Sequence, residues 1–330
     1  LKPFWHKQTS GSRVRKVVSL IPMSSAGDES AEEARKRLTT DLLAVGIRPG
    51  SPLLIHSSLA AIGRVQGGAD TVIDALLDAV GPEGTLCMPT LSYLFTTVEN
   101  PTFDVKLTRS NIGVIPETFR TRPGVSRSVH PTHSCAAFGP QAADLLSQHY
   151  KDRTPVGEHS PFRRLRDLKG QVAFLGVPHA ARCNTSCHGV EELLPTPPPY
   201  LFQEDKVTYT VKDWEGKIEV VEHTRHGFSK HGQRYERVLD YMPLDTHRSG
   251  RVGEAMLHVV EAQEMWDAAL MALEKDSLCL VEEIVPGSEG HSLVMGSTGK
   301  PRYIVGPSSE DSVDGGGKRQ KTCDISCPSL

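Results

Sequence analysis

Apolar residues fall along this chain with two different periods. Ala31–Val45 carries them at helical spacing, and Val45-Gly46-Ile47-Arg48-Pro49-Gly50 reads as a helix stop and turn. Leu53-Leu54-Ile55 is a short unbroken apolar run, the mark of a buried strand. Gly63, Gly67 and Gly68 follow, then Asp70–Val80, where Val72, Ile73, Leu76, Leu77 and Val80 share a helix face. Gly81-Pro82-Glu83-Gly84 is a turn and Thr85-Leu86-Cys87-Met88 the next strand. Strand, glycine-containing loop, helix and strand in that order predict a βαβ unit.

Further along, Ile112–Arg120 and Gln141–His149 read as short helices. Ser160-Pro161 opens another, with Ser as cap and Pro at the first helical position. Leu168–Val177 returns to strand. Asn184-Thr185-Ser186 then offers caps for a short helix that carries His188 in its first turn. Pro195–Pro199 breaks the pattern. Lys206–Val211 and Lys217–Glu222 alternate or run β-branched around Trp214-Glu215-Gly216, which predicts a β-hairpin over about 206–222. Val252–Leu273 reads as mainly helical and Ser277–Val285 as a last strand. The fold class is therefore α/β with a smaller β-rich C-terminal part. Residues 1–30 are polar and aperiodic and read as a loosely ordered arm. Residues 31–285 read as a single domain, and 286–330 as a tail, largely disordered from about 305 where Ser, Asp, Gly and Lys dominate.

Composition narrows the function. Among 330 residues, 38% are hydrophobic, enough for a sizeable core. The net charge of -3 comes with no basic stripe, which argues against a nucleic-acid partner. No apolar run reaches membrane-spanning length, and Leu1-Lys2-Pro3-Phe4-Trp5 lacks a signal-peptide core, so no membrane association is expected. Seven scattered cysteines suit reduced thiols and a cytoplasmic location. Asn184-Thr185-Ser186 matches a glycosylation acceptor and is read as a chance match.

Five stretches carry candidate chemistry. His56-Ser57-Ser58-Leu59, followed by Gly63-Arg64-Val65-Gln66-Gly67-Gly68 and a helix, has the makings of an anion site, or of a tight βα loop that needs glycine for its backbone. It is neither a dinucleotide fingerprint nor a P-loop, so nicotinamide cofactors and ATP are not indicated. His130-Pro131-Thr132-His133-Ser134, after Arg127, is either a binding loop or a polar turn. In Gly157-Glu158-His159-Ser160-Pro161, Glu158 is a surface acid or a site acid. His188 and Glu191, three residues apart, share a helix face, and an imidazole beside a carboxylate is what a general base needs. Cys183, Cys187, His179 and His188 lack a second ligand pair at zinc spacing, so no metal is expected. Cys187 adjoins His188, but neighbours on a helix point apart. Arg225-His226-Gly227-Phe228-Ser229-Lys230-His231-Gly232 reads first as a solvated loop.

Taken in order, these motifs resemble the aminoglycoside 3-N-acetyltransferase family. The matching pieces are Ile55-His56-Ser57-Ser58-Leu59 with Ile62-Gly63 and Gly67-Gly68; Gly84-Thr85-Leu86 with Met88-Pro89-Thr90; His130-Pro131-Thr132-His133-Ser134; Gly157-Glu158 with Ser160-Pro161; and Leu175-Gly176-Val177 with Asn184-Thr185-Ser186, His188 and Glu191. They cover roughly residues 31–285. The resemblance implies a family-specific mixed α/β/α fold with a central sheet. It implies an acetyl-CoA-dependent N-acetyltransferase acting on a primary amine of an aminoglycoside or related small amine. His188 would be the general base and Glu191 its partner, with no acyl-enzyme. His56, Ser57, Ser58, Leu59, Gly63, Val65, Gly67, Gly68, His130, Pro131, His133 and Ser134 fall on the coenzyme A side. Thr90, Tyr93, Glu158 and Glu222 are the candidate substrate contacts, and Ser57, Ser58 and Thr90 the candidate donors to a developing oxyanion. A homodimer is a possible assembly.

The chain also departs from the family pattern. Many relatives carry Asp-Arg-Asn-Thr before the histidine, whereas Arg182-Cys183-Asn184-Thr185 lacks that aspartate. Glu222 and Glu236 are acids available to complete the site. A polycation needs several acids around it, and the basic 225–237 segment does not supply them, which points to a different amine as natural acceptor. Two other readings stand beside the transferase: a non-catalytic member of the fold that binds CoA or a partner, and a hydrolase with a Ser or Cys nucleophile. The second lacks a Gly-x-Ser-x-Gly elbow.

Overall fold

The computed structural model of the chain describes residues 29–177, 184–228 and 231–283, together with the backbone of 291–295 and 301–305. Ser30 starts helix α1 (Ala31–Val45): its hydroxyl accepts from the Glu33 N–H, and the Glu33 carboxylate takes the Ser30 N–H, a capping box. Strand β1 (Pro52–Ser57), the short α2 (Leu59–Ile62), α3 (Gly68–Val80) and β2 (Thr85–Pro89) follow. β1 and β2 pair in parallel, so the βαβ unit read from the sequence is present. The chain continues through β3 (Thr102–Asp104), α4 (Val114–Arg120), β4 (Ser126–Arg127), β5 (Cys135–Phe138), α5 (Ala142–Leu146), α6 (Pro161–Asp167), β6 (Gln171–Leu175) and α7 (Thr185–Glu192). It then forms β7 (Phe202–Lys212), β8 (Ile218–His226), β9 (His231–Gln233), β10 (His247–Val252), β11 (Ala255–Glu261), α8 (Ala262–Lys275) and β12 (Val281–Glu283). Strands β13 (His291–Met295) and β14 (Pro301–Val305) pair antiparallel.

A seven-stranded sheet runs in the order β10-β11-β6-β1-β2-β5-β4. Its middle strand, β1, lies parallel to both β2 and β6, and the outer pairs are antiparallel. Alternation along the strands sorts side chains to two faces. Leu53, Ile55, Leu86 and Met88 pack in one core with Leu38 of α1, Leu76 of α3 and Phe119 of α4. Leu54, Cys87, Val172 and Phe174 join the opposite core with Leu145 of α5, Phe162 of α6, Val190 of α7 and Trp266 of α8. This is the α/β/α layering expected. The smaller β-rich part is a separate three-stranded sheet, β3-β7-β8, around Phe103, Val207, Tyr209 and Val211.

Some elements differ from the sequence reading. Val252–Leu273 is not mainly helical: Ala255–Glu261 is β11, paired with β6, and α8 starts only at Ala262. Leu257 and Val259 are buried on one face of that strand, a two-residue period that the following helical stretch obscures. The helix expected over Gln141–His149 is shorter, and a turn of 3₁₀ helix covers His149–Lys151. The last strand of the 277–285 region is confined to Val281–Glu283, against β9. The N-terminal arm, apart from its final residues, and the tail beyond 305 lie outside the described residues. No helix among the described residues is long and apolar enough to cross a membrane.

Candidate active site

In α/β sheets the ligand crevice lies beyond the carboxyl ends of the parallel strands, where the connections of neighbouring strands diverge. Here that place is the end of β1, between β2 and β6. A cavity of about 430 Å³ opens there. His56, Ser57, Ser58 and Leu59 come to it from β1, Pro89 from β2 and Val177 from beyond β6. α7 contributes Thr185 and His188, and β8 contributes Arg225 and His226.

The Asn184 side chain starts α7 by accepting the Ser186 N–H at 3.1 Å. Every residue of that helix is buried, so its polar groups must find partners within the protein. His188 Nδ1 lies 3.2 Å from Glu191 Oε2, one turn on. Glu191 is fully buried. Tyr200 donates to its Oε1 at 2.7 Å, and Tyr235 donates to its Oε2 at 2.9 Å. The Tyr235 hydroxyl oxygen is also 2.6 Å from His188 Nδ1. Burial, followed by the Glu191 charge, pushes both tyrosine hydroxyls up, so they remain donors at neutral pH. Hydrogen bonds to a charged group are the strong ones, and they replace the water this carboxylate has lost. The set favours the proton on Nδ1 and a lone pair on Nε2. The Gln233 amide nitrogen, at 3.4 Å, and the Tyr235 hydroxyl, at 3.5 Å, lie beside that nitrogen.

A second pair lies alongside. The His226 ring is 4.4 Å from the His188 ring, centroid to centroid, and His226 Nε2 is 2.6 Å from Glu192 Oε1. That oxygen also accepts the Val156 N–H at 2.8 Å. Burial pushes the Glu192 carboxyl up to about 8 and His226 well below its ordinary value. Both shifts favour the uncharged forms. Tyr200, Glu192, His226, Gln233 and Tyr235 were not singled out as site residues in the sequence. The one available signal was the charge and glycine density of 225–232. That stretch is no solvated loop: Arg225, His226 and Phe228 are cavity wall, while 229–230 lie outside the described residues.

The other expected site residues divide into wall and support. His56 stacks on Phe174 at 5.2 Å, its Nε2 is buried without a partner, and burial pushes its pKa down to about 3. Ser57 Oγ is likewise buried and unpartnered. Ser58, Leu59, Tyr93 and His133 share that wall. His130 instead clamps its own loop. Its Nδ1 accepts the His133 N–H at 2.9 Å, and Nε2 donates to the Thr154 carbonyl at 3.0 Å. The Pro131 carbonyl accepts from Ser92. Thr90 and Ser134 are buried against Arg127, whose guanidinium donates to both. They are absent from the cavity wall, so of the three expected oxyanion donors only Ser57 and Ser58 line it.

Gly63, Val65, Gly67 and Gly68 are also off the wall, because α2 separates them from the end of β1. Gly63 has φ 88, and a Cβ there would lie 2.6 Å from the Glu254 carboxylate carbon. The tight-loop alternative therefore accounts for it. Glu158 and Glu222 do not line the cavity, and Glu222 pairs with Lys206 on the exposed hairpin. Glu236 pairs with Arg234. Cys187 is sealed in the core and its thiol is pushed well above its ordinary value by burial. Asn184 is a buried helix cap rather than a surface acceptor. Among the described residues no cluster of His, Cys, Asp and Glu could hold a metal. His179, Cys183 and the missing aspartate at Arg182-Cys183 lie outside them.

Fold and site together define an α/β/α enzyme with a carboxylate-held histidine at the carboxyl end of its sheet. Residues 54–274 match the profile of the aminoglycoside 3-N-acetyltransferases, and the chain belongs to that family of acyltransferases. Aminoglycoside N(3)-acetyltransferase VII of Streptomyces paromomycinus is 32% identical over 268 residues, 73% of this chain and 91% of that protein. Aminoglycoside N(3)-acetyltransferase IX of Micromonospora chalcea is 30% identical over 280 residues, 76% of this chain and 97% of its own length. The apoenzyme of aminoglycoside acetyltransferase AAC(3)-IVa superposes with a TM-score of 0.62 at 30% identity, over 77% of this chain and 92% of its own. A binary complex of AAC-IIIb with CoASH superposes with a TM-score of 0.64 at 25% identity, over 75% and 97%. A mutant of AAC(3)-IVa has been solved in complex with a gentamicin (TM-score 0.64, 28% identity, 78% and 93%).

Proposed function

We propose that this protein transfers the acetyl group of acetyl-CoA to a primary amine, with His188 as general base and no acyl-enzyme. The observation that carries this is His188 itself: on the cavity wall, with Nδ1 held by Glu191 and Tyr235 and Nε2 left as the basic nitrogen. Bound acetyl-CoA supplies the acetyl group as an activated thioester. An alkylamine is protonated at neutral pH and must lose a proton to become a nucleophile. His188 Nε2 takes that proton, and the buried Glu191 carboxylate steadies the imidazolium. Ser57 and Ser58 stand on the wall as hydroxyl donors for negative charge that develops on an acyl oxygen. The sealed Cys187 thiol cannot reach a ligand, which favours direct transfer over a cysteine acyl-enzyme.

His188→Ala tests the assignment. Acetyl transfer, read as thiol release from acetyl-CoA with an amine panel, should fall by about 10²–10⁴ while CoA still binds. Full turnover in the folded variant would remove His188 from its role.

A further inference from the structure

The wall of the cavity says which amines suit it. Among its described residues there is no Asp or Glu, and its permanent charge is the Arg225 guanidinium. Arg225 Nε is buried with no hydrogen-bond partner, and Arg225 makes no ion pair among the described residues. The acid that senses it is Glu99, exposed, whose carboxylate is stabilised mainly by its own backbone and Thr97. Glu191 and Glu192 are buried beside His188 and His226, and Glu191 already meets Tyr200, Tyr235 and His188. Stretches 178–183 and 229–230, outside the described residues, contain no acidic residue in sequence. The rest of the wall is largely apolar and aromatic: Leu91, Tyr93, Ile112, Val114, Tyr209 and Phe228. Among the described residues of the wall, a polycation would face this guanidinium with no carboxylate to meet its ammonium groups.

We infer that the acceptor is an amine of low positive charge that carries an anionic group on an apolar frame, the anion docking on Arg225 and the amine at His188. The inference rests on the transfer reaction proposed above. A planar guanidinium that lines the cavity without an ion pair among the described residues suits a carboxylate. The aromatic wall takes the frame, and Thr96 Oγ1, buried on the wall without a partner, is left for a neutral polar group.

The test measures thiol release from acetyl-CoA with phenylalanine, with phenethylamine, which lacks the carboxylate, and with gentamicin. Wild type, Arg225→Gln and the charge-keeping Arg225→Lys are compared. Binding of phenylalanine in the presence of CoA is followed by calorimetry. Phenylalanine should exceed phenethylamine in kcat/KM by about tenfold or more, as one charge-assisted contact allows. That preference should vanish in Arg225→Gln, survive in part in Arg225→Lys, and leave the KM for acetyl-CoA unchanged. Gentamicin turned over faster than phenylalanine overturns the inference. So does a raised KM for acetyl-CoA in Arg225→Gln with the preference intact, which would give the guanidinium to a cofactor phosphate. Arg225-dependent binding of phenylalanine with no transfer to any amine would sink the transferase reading and keep the anion site. Transfer to gentamicin or phenethylamine with no binding of phenylalanine would do the reverse. No binding and no transfer at all overturns both.

Discussion

Replacing Glu191 by Gln alters one atom and one charge where no water can compensate. The carboxylate receives three donors on two oxygens: Tyr200 at 2.7 Å on Oε1, and Tyr235 and His188 at 2.9 and 3.2 Å on Oε2. Gln offers one acceptor oxygen and one NH₂ in their place. If its oxygen keeps the Oε2 position, the Tyr200 hydroxyl faces a donor. If its NH₂ takes that position, it donates toward His188 Nδ1 and moves the imidazole proton to Nε2, which removes the basic lone pair. Each contact to the charged group is worth about 1.5–3 kcal/mol, and the neutral amide keeps roughly half of what remains. Loss of the correct tautomer together with the charge that steadies the imidazolium should lower kcat by about 10²–10⁴, or roughly 3–5.5 kcal/mol of barrier. Glu191 has no surface in the cavity, so the KM for acetyl-CoA should not move. Thiol-release kinetics give kcat and KM, CoA binding and thermal unfolding report the fold, and ¹⁵N NMR of the imidazoles reads the tautomer. A folded Glu191→Gln protein with kcat within about threefold of wild type would refute the claim that Glu191 orients the base, since even one lost contact exceeds that.

Tyr235→Phe keeps the packing of a fully buried ring and deletes one donor to Glu191, so kcat should fall about 10- to 100-fold with the KM for acetyl-CoA unchanged, measured in the same assay. Stability should collapse in acid. Burial lowers the pKa of His56 to about 3, of His130 to about 4 and of His223 to about 2, and it lowers His133, His149 and His226 well below the ordinary value. The unfolded chain takes up these protons near its ordinary 6.5 while the folded chain refuses them, so stability present above 6.5 is lost as pH falls below it. Each group contributes at most about 1.4 kcal/mol per pH unit, and urea midpoints at pH 7.5, 6.5 and 5.5 would show whether several act together. Glu192 works in the opposite direction. It holds its proton to about 8 when folded against an ordinary value of 4.5, so its contribution is full below 4.5 and lost as pH rises toward 8. The stability gap between wild type and Glu192→Gln should therefore move in the variant's favour between pH 5 and 9. Cys187→Ala should retain acetyl transfer at a cost of about 1–2 kcal/mol in stability, and intact mass should show no acyl adduct in either protein.

Much of the frame was legible because it is written in short-range patterns. Leu53 and Ile55 go to one core and Leu54 to the other because a strand alternates its side chains, whatever lies beyond. Ser160 and Asn184 cap helices through N–H groups two or three residues away. The same locality made His188 and Glu191 readable as a pair, since three residues on a helix is one turn. Ala255–Glu261 was not readable in this way. Its pattern is short and runs straight into α8, and only its ladder to β6 makes it a strand.

The sequence by itself determined the α/β class, the βαβ unit and the histidine–glutamate pair, because each is set by periodicity, capping or spacing within a few residues; the family, and the α/β/α layering it implies, came from the resemblance of five motifs taken in order. Only the tertiary structure decided what surrounds that pair. Tyr200 and Tyr235 reach Glu191 from two other segments, and His226 arrives from a hairpin whose local sequence looked solvated. It also showed that His130 and Ser134 brace the loop that His133 presents, and that Gly63 yields to Glu254 rather than to a ligand. Those roles depend on which distant groups meet at the end of β1. Burial by those distant groups is what favours neutral imidazoles at His56, His133 and His226, and no local pattern encodes it.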